Sequence, residues 1–130
     1  MPQGVEQGWN EDYTPVPPSP RERAARKMAE LLKSEGFKVP EPFRSEDSRY
    51  WNLSAEGESG RAMIWFFSPS GIYVSIGYMN VRDGQSRTDS QGQVILKSVD
   101  KAMEYIRLIG QGDLAGAIEY IDAGNGERRI

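Results

Sequence analysis

Catalysis near neutral pH rests most often on histidine or cysteine, and this chain of 130 residues contains neither. Without histidine it lacks the one side chain that titrates in that range unaided, and the commonest ligand for zinc, copper and iron. Without cysteine it has no thiolate nucleophile, no thiolate metal site and no disulfide framework. Serine and cysteine triads built on histidine are therefore excluded. What remains is carboxylate, lysine, tyrosine or serine chemistry. Two carboxylate pairs, Glu46/Asp47 and Glu56/Glu58, fall in polar segments where they are expected to be solvated. A catalytic carboxylate needs burial to move its pKa, and these surroundings promise none. Gly110-Gln111-Gly112 and Asp83-Gly84 read as turn punctuation, because the chain carries no Gly-x-Gly-x-x-Gly, no phosphate loop ending in Gly-Lys-Ser/Thr and no calcium loop. The expectation is a protein that is not an enzyme, with no catalytic residues, no cofactor and no metal. No segment is distinctive enough to name a family.

The side chains that stand out are aromatic, and their spacing depends on the elements that carry them. Trp51, Leu53 and Ala55 alternate with Tyr50, Asn52 and Ser54, the period of a half-buried strand. Residues 62–67 are apolar without interruption, as in a central strand covered or sticky on both faces. Ile72, Val74, Ile76 and Tyr78 alternate with Tyr73, Ser75 and Gly77, which predicts a third strand with the first set on the core face. Ser68-Pro69-Ser70-Gly71 fits a type I turn with a left-handed glycine, a geometry that pairs Ser68 with Ile72, Phe66 with Val74 and Phe67 with Tyr73. A two-residue loop would instead slip the register by one and exchange Trp65 and Phe67 for Ile64 and Phe66. Tyr73 faces outward in either case.

Helices flank these strands. Ser19-Pro20-Arg21-Glu22 combines a capping serine, proline in the first turn and a glutamate that can reach back to the cap. Ala24, Met28, Leu31 and Leu32 form the expected apolar stripe, and Gly36 the stop. Phe37 to Val39 reads as a short edge strand before Pro40 and Pro42. Gln93 to Lys97 reads as a fourth strand. Ser98 caps a second helix with Val99, Met103, Ile106 and Ile109 inward, and Asp113 caps a third carrying Leu114, Ala117, Ile118 and Ile121. Between Val81 and Gly92 lies a polar loop, long for a hairpin. The predicted architecture is a two-layer α+β domain over residues 19–124: a four-stranded antiparallel meander with one N-terminal and two C-terminal helices on one face. Residues 1–18 form a Pro/Gly-rich acidic tail read as flexible, bearing isolated Trp9 and Tyr13, and residues 125–130 are expected to fray.

That arrangement leaves the far face of the sheet with Tyr50, Trp65, Phe67 and Tyr73, with Met63 and Met79 nearby. A patch of this kind marks a contact surface unless the tail, the 81–92 loop or the third helix folds over it. Aromatic side chains and methionine are enriched anchors of protein interfaces. The expected partner-binding residues are therefore Tyr50, Trp65, Phe67 and Tyr73, with Arg82 and Arg87 at the margin. The expected occupant is a protein partner or a second copy, in the manner of an adaptor, chaperone-like factor, inhibitor or immunity-type protein. The alternative is single-stranded nucleic acid stacked on the same rings and flanked by Arg82, Arg87 and Lys97. Charge weighs against it. The net charge of -3 equals that of Glu6, Glu11 and Asp12 in the tail, so the remainder balances and offers no basic frame. No run of about 18 apolar residues and no signal-like start is present, so the chain is expected to be cytoplasmic and unattached to membrane.

Overall fold

A computed structural model describes residues 18–44, 50–68, 71–81, 83–88 and 91–129. Helix α1 spans Pro20–Ser34, and the Ser19 hydroxyl accepts from the N–H of Glu22 as the sequence implies. It ends where Gly36 takes φ 93°, a left-handed conformation open to glycine without penalty. The buried stripe is Ala25, Met28, Ala29 and Leu32, whereas Leu31, expected inside, lies a third of a turn round the helix and is 37% exposed.

Among the described residues, seven strands and two more helices follow in order: β1 (Phe43–Arg44), β2 (Trp51–Glu56), β3 (Gly60–Phe66), β4 (Ile72–Asn80), β5 (Ser86–Arg87), β6 (Gln93–Leu96), α2 (Val99–Gly110), α3 (Leu114–Tyr120) and finally β7 (Glu127–Arg129). All pairings are antiparallel, in the order β1-β2-β3-β4-β6-β7, with β5 attached to the far end of β4. The four expected strands are thus the centre of a seven-stranded sheet, and the three additions are short edge pieces whose two or three residues carry no readable periodicity. The edge strand expected at Phe37 to Val39 is reduced to a single bridge, Lys38 to Glu56.

The C-terminus departs most from expectation. Residues 127–129 do not fray but pair with β6, and a buried polar network holds them. Gln91 donates from Nε2 to the Tyr105 hydroxyl (2.8 Å) and accepts at Oε1 from Arg128 Nη2 (2.7 Å) and Nε (3.1 Å), while Arg128 Nη1 donates to Asp122 (2.7 Å). A buried amide must find partners, and the guanidinium of the last strand supplies them. Gly124, at φ 94°, turns the chain from α3 toward β7.

One face of the sheet is dry. Leu53, Ala55, Ala62, Ile64, Phe66, Ile72, Val74, Val94 and Leu96 are buried there with Met28, Leu32, Tyr105, Ile106 and Ile109 of α1 and α2. Helix α3 packs mainly on α2 and on the turn after α3. Glycines let α2 approach the β2–β3 turn: a Cβ at Gly60 would stand 2.0 Å from the carbonyl oxygen of Ile109. The N–H of Ser59 donates to the Gly110 carbonyl across that junction (2.8 Å).

Two details of register decide what faces outward. Phe66 pairs with Ile72, Trp65 with Tyr73 and Ile64 with Val74, a slip of two residues from the register expected at the turn. The Gly71 carbonyl accepts from the N–H groups of Phe67 (2.9 Å) and Ser68 (3.2 Å), and Gly71 is not left-handed. Because side chains alternate with period two, a slip of two leaves every residue on its expected face. The second detail does change a face. A bulge between Arg61 and Ala62 sets Ala62 opposite Ile76 but Arg61 opposite Tyr78, with Gly77 as the extra residue. Beyond it the alternation inverts, so Tyr78, expected in the core, points outward, and Met79, expected outside, is fully buried.

Candidate functional site

The outer face of the sheet is built from the alternate residues of the central strands. Opposed pairs share a face, so the ladder Phe43, Asn52, Trp65, Tyr73, Ile95 and Glu127 crosses the sheet on its outer side. A second row, Ser54, Met63 and Ser75, runs beside it, and a third holds Glu56, Arg61 and Tyr78. Among the described residues, the helices that complete the core pack on the opposite side.

Four of the six residues expected at the site come together here. The rings of Phe67 and Tyr73 stack with centroids 5.6 Å apart and planes 10° from parallel. Tyr50 tilts against both, at 5.7 Å from Phe67 and 6.5 Å from Tyr73. Trp65 stands directly opposite Tyr73 on the neighbouring strand. Phe67 remains 46% exposed, and Tyr50, Trp65 and Tyr73 are half-buried. Ring pairs of this geometry attract beyond their area, so the cluster is preformed. Arg129 of β7 lies over the Tyr73 ring at 5.0 Å, a cation–π contact that periodicity could not have shown because β7 itself was not legible.

The two marginal arginines are not brought to this cluster. Arg87 pairs with Met79, whose side chain faces the helices, and its guanidinium contacts Asp83 (3.5 Å) and Gln85 (2.7 Å). Arg82 lies outside the described residues. Lys97 is occupied by Glu127 at 3.5 Å. Arg129 and Arg61 also border the outer face. Among the described residues, the Arg61 Nε is buried with no hydrogen-bond partner, and Nη2 donates to the Met63 sulfur at 3.4 Å. A guanidinium donor out of water and without an acceptor is costly, and no local pattern signals it, since the bulge beside it sets its place. Next to it the Tyr78 hydroxyl donates to Glu56 (2.5 Å), and that bond is the main reason the phenol's pKa is raised.

A cleft of about 270 Å³ is lined by Glu35, Phe37, Gly57, Glu58, Arg107 and Gly110, where α1, α2 and the β2–β3 turn meet. Arg107 fills its polar side, donating to both Glu35 oxygens (2.7 Å each) and to Glu104 (3.1 Å). Those hydrogen bonds hold the Glu35 carboxyl below its ordinary range and push Arg107 up, so neither is poised to exchange a proton near neutrality. Glu35 and Glu58 are both exposed, unlike a carboxylate tuned by burial. Among the described residues no group of three or more acidic side chains is placed to hold a metal ion, and no helix is long and apolar enough to cross a membrane.

No family model, curated protein or solved structure matches the chain.

Proposed function

We propose that this protein is a non-enzymatic protein-binding module that takes its partner on the outer face of the sheet. The observation that carries this reading is the cluster of Tyr50, Phe67 and Tyr73 beside Trp65, preformed on a rigid sheet and only partly withdrawn from water. Large, stiff aromatic side chains bring contact area at little cost in conformational entropy, and their burial at the centre of an interface dominates affinity. The sheet supplies the rigidity, so binding need not order the anchors first. Arg129 over the Tyr73 ring places a cation beside the aromatic anchors.

Trp65→Ala and Tyr73→Ala test the reading. Each is expected to abolish capture of the partner, or self-association in sedimentation velocity, while the far-ultraviolet spectrum and thermal midpoint stay near those of the parent. Loss of the folded state in both variants would show that these rings are core, and would remove the binding site.

A further inference from the structure

We infer that β7 is a self-pairing edge: two copies of this chain join antiparallel through residues 127–129, making one continuous sheet with both aromatic faces on the same side. The inference goes beyond the binding role proposed for that face and does not depend on it.

Strand β7 ends the order of the sheet, pairs among the described residues with β6 on one side only, and exposes all three of its side chains. An open edge of N–H and C=O groups is a template for another strand, and proteins usually blunt it with charge. Here the charges blunt most pairings and admit one. Glu127 pairs with Ile95 and Arg129 with Gln93, so both side chains stand on the outer face, whereas Arg128, opposite the buried Val94, stands on the helix side.

A twofold axis perpendicular to the sheet must set outer residues against outer residues, because directly opposed side chains share a face. The axis therefore passes at a residue and not between two. Centred on Glu127 it sets Glu127 against the second copy's Glu127, and centred on Arg129 it sets Arg129 against the second copy's Arg129. Centred on Arg128 it sets Glu127 against Arg129 twice over, and of the three it alone pairs the whole strand. Opposite charges across a ladder attract and like charges destabilise it, so the order Glu-Arg-Arg selects this register. The like-charged pair that remains, Arg128 against Arg128, lies on the helix side, where each guanidinium has its own Asp122 carboxylate at 2.7 Å.

Neither outer side chain has to abandon its present contact. Arg129 lies over the Tyr73 ring, and a guanidinium held on a ring still has N–H groups to donate. Glu127 meets Lys97 at 3.5 Å in an exposed pair, which leaves carboxylate lone pairs to accept. Three paired residues bring about two to four backbone hydrogen bonds, far less than a stable interface of about 1,000 Å² offers, so the dimer dissociates on dilution. Its consequence is geometric. Five strand spacings of about 4.8 Å separate the Tyr73 rings of the two copies, roughly 25 Å on one surface, and a partner with two matching sites gains avidity from engaging both.

Nuclear magnetic resonance of full-length protein tests the pairing. In a mixture of isotope-labelled and unlabelled chains at millimolar concentration, isotope-filtered nuclear Overhauser effects are expected between residues 127–129 of different copies, and the amide shifts of those residues are expected to move on dilution. Glu127→Arg and Arg129→Glu each turn both outer pairs into like charges, and each alone is expected to weaken association by about tenfold or more. Mixed together, the two variants restore opposite charges at both pairs, and the parent affinity is expected to return. Both positions are exposed, so each variant is expected to keep the parent's spectrum away from β7. Shifts independent of concentration, single variants that associate as well as the parent, or a mixture that fails to pair would overturn the inference. Contacts between copies at Trp65 and Phe67 in place of residues 127–129 would overturn it too, since the second copy would then sit on the aromatic face. The binding role of that face fails by a separate result, the unfolding of the Trp65→Ala and Tyr73→Ala variants.

Discussion

Phe66 and Phe67 are chain neighbours on opposite sides of the sheet, and replacing each by alanine separates core from contact surface. Phe66 is 0% exposed and packs among Ile64, Ile72 and Leu96, whereas Phe67 is 46% exposed and meets the rings of Tyr50 and Tyr73. Removing a phenylalanine from a closed core costs about 3–5 kcal/mol, transfer and cavity together. Fully burying the side chain is worth about 1.5–3 kcal/mol, and Phe67 gains roughly half of that. Two solvated ring contacts add a fraction more, so Phe67→Ala is expected to cost about 1–1.5 kcal/mol. Urea unfolding followed by tryptophan fluorescence resolves the two. With a slope of about 1.5 kcal/mol per molar, the midpoint falls by about 2–3 M for Phe66→Ala and by about 1 M or less for Phe67→Ala. Equal shifts at unchanged slope would refute the assignment of faces, and with it the binding surface.

Three further outcomes follow from the same geometry. Gly60→Ala drives a methyl group onto the Ile109 carbonyl and is expected to cost about 3 kcal/mol or more in a thermal melt, whereas Gly84→Ala, with φ 83° and open space around it, costs only about 1 kcal/mol from its left-handed backbone. Gln91→Leu removes the acceptor of Arg128 and is expected to cost about 1–3 kcal/mol, with amide exchange accelerated first at residues 127–129; protection unchanged there would show that β7 does not depend on this amide. The Glu35 carboxyl is held down by Arg107 in the folded protein, so its contribution is present above the ordinary glutamate pKa of about 4.3 and is lost as pH falls through the lower folded value. The stability difference between the parent and Glu35→Gln is therefore below about 1 kcal/mol at neutral pH, because both partners are largely solvated, and closes in acid; a difference independent of pH would contradict the pairing.

The helices and central strands were legible because their signals are local. Ser19, Ser98 and Asp113 cap the helices they were expected to cap, and Gly36 stops the first. The alternation in β2, β3 and the first part of β4 placed Trp65 and Tyr73 on the outer face even though the register at the turn differed by two. What was not legible depends on pairings between distant segments. The inversion at Tyr78 and Met79 needs a bulge that only the β3 partner reveals. The strand at residues 127–129 is charged, without apolar alternation, and exists because Gln91 and β6 receive it. Arg129 thereby reaches Tyr73, and the Arg61 Nε is withdrawn from solvent, neither of which a one-dimensional pattern contains. Arg87 was expected near the rings from the sequence of its loop, and pairing with the end of β4 carries it to the other side.

A photo-crosslinking amino acid at position 67, introduced into the full-length chain in its native host, tests most directly whether the outer face is used. The ring there is a conservative replacement on an exposed site, and Leu31, exposed at 37% on α1, provides the matched position on the helix side. Illumination is expected to yield a discrete adduct with another protein or a second copy from position 67 and none from position 31. Adducts from position 31 alone, or from neither position, would contradict the assignment of the aromatic face as the docking surface.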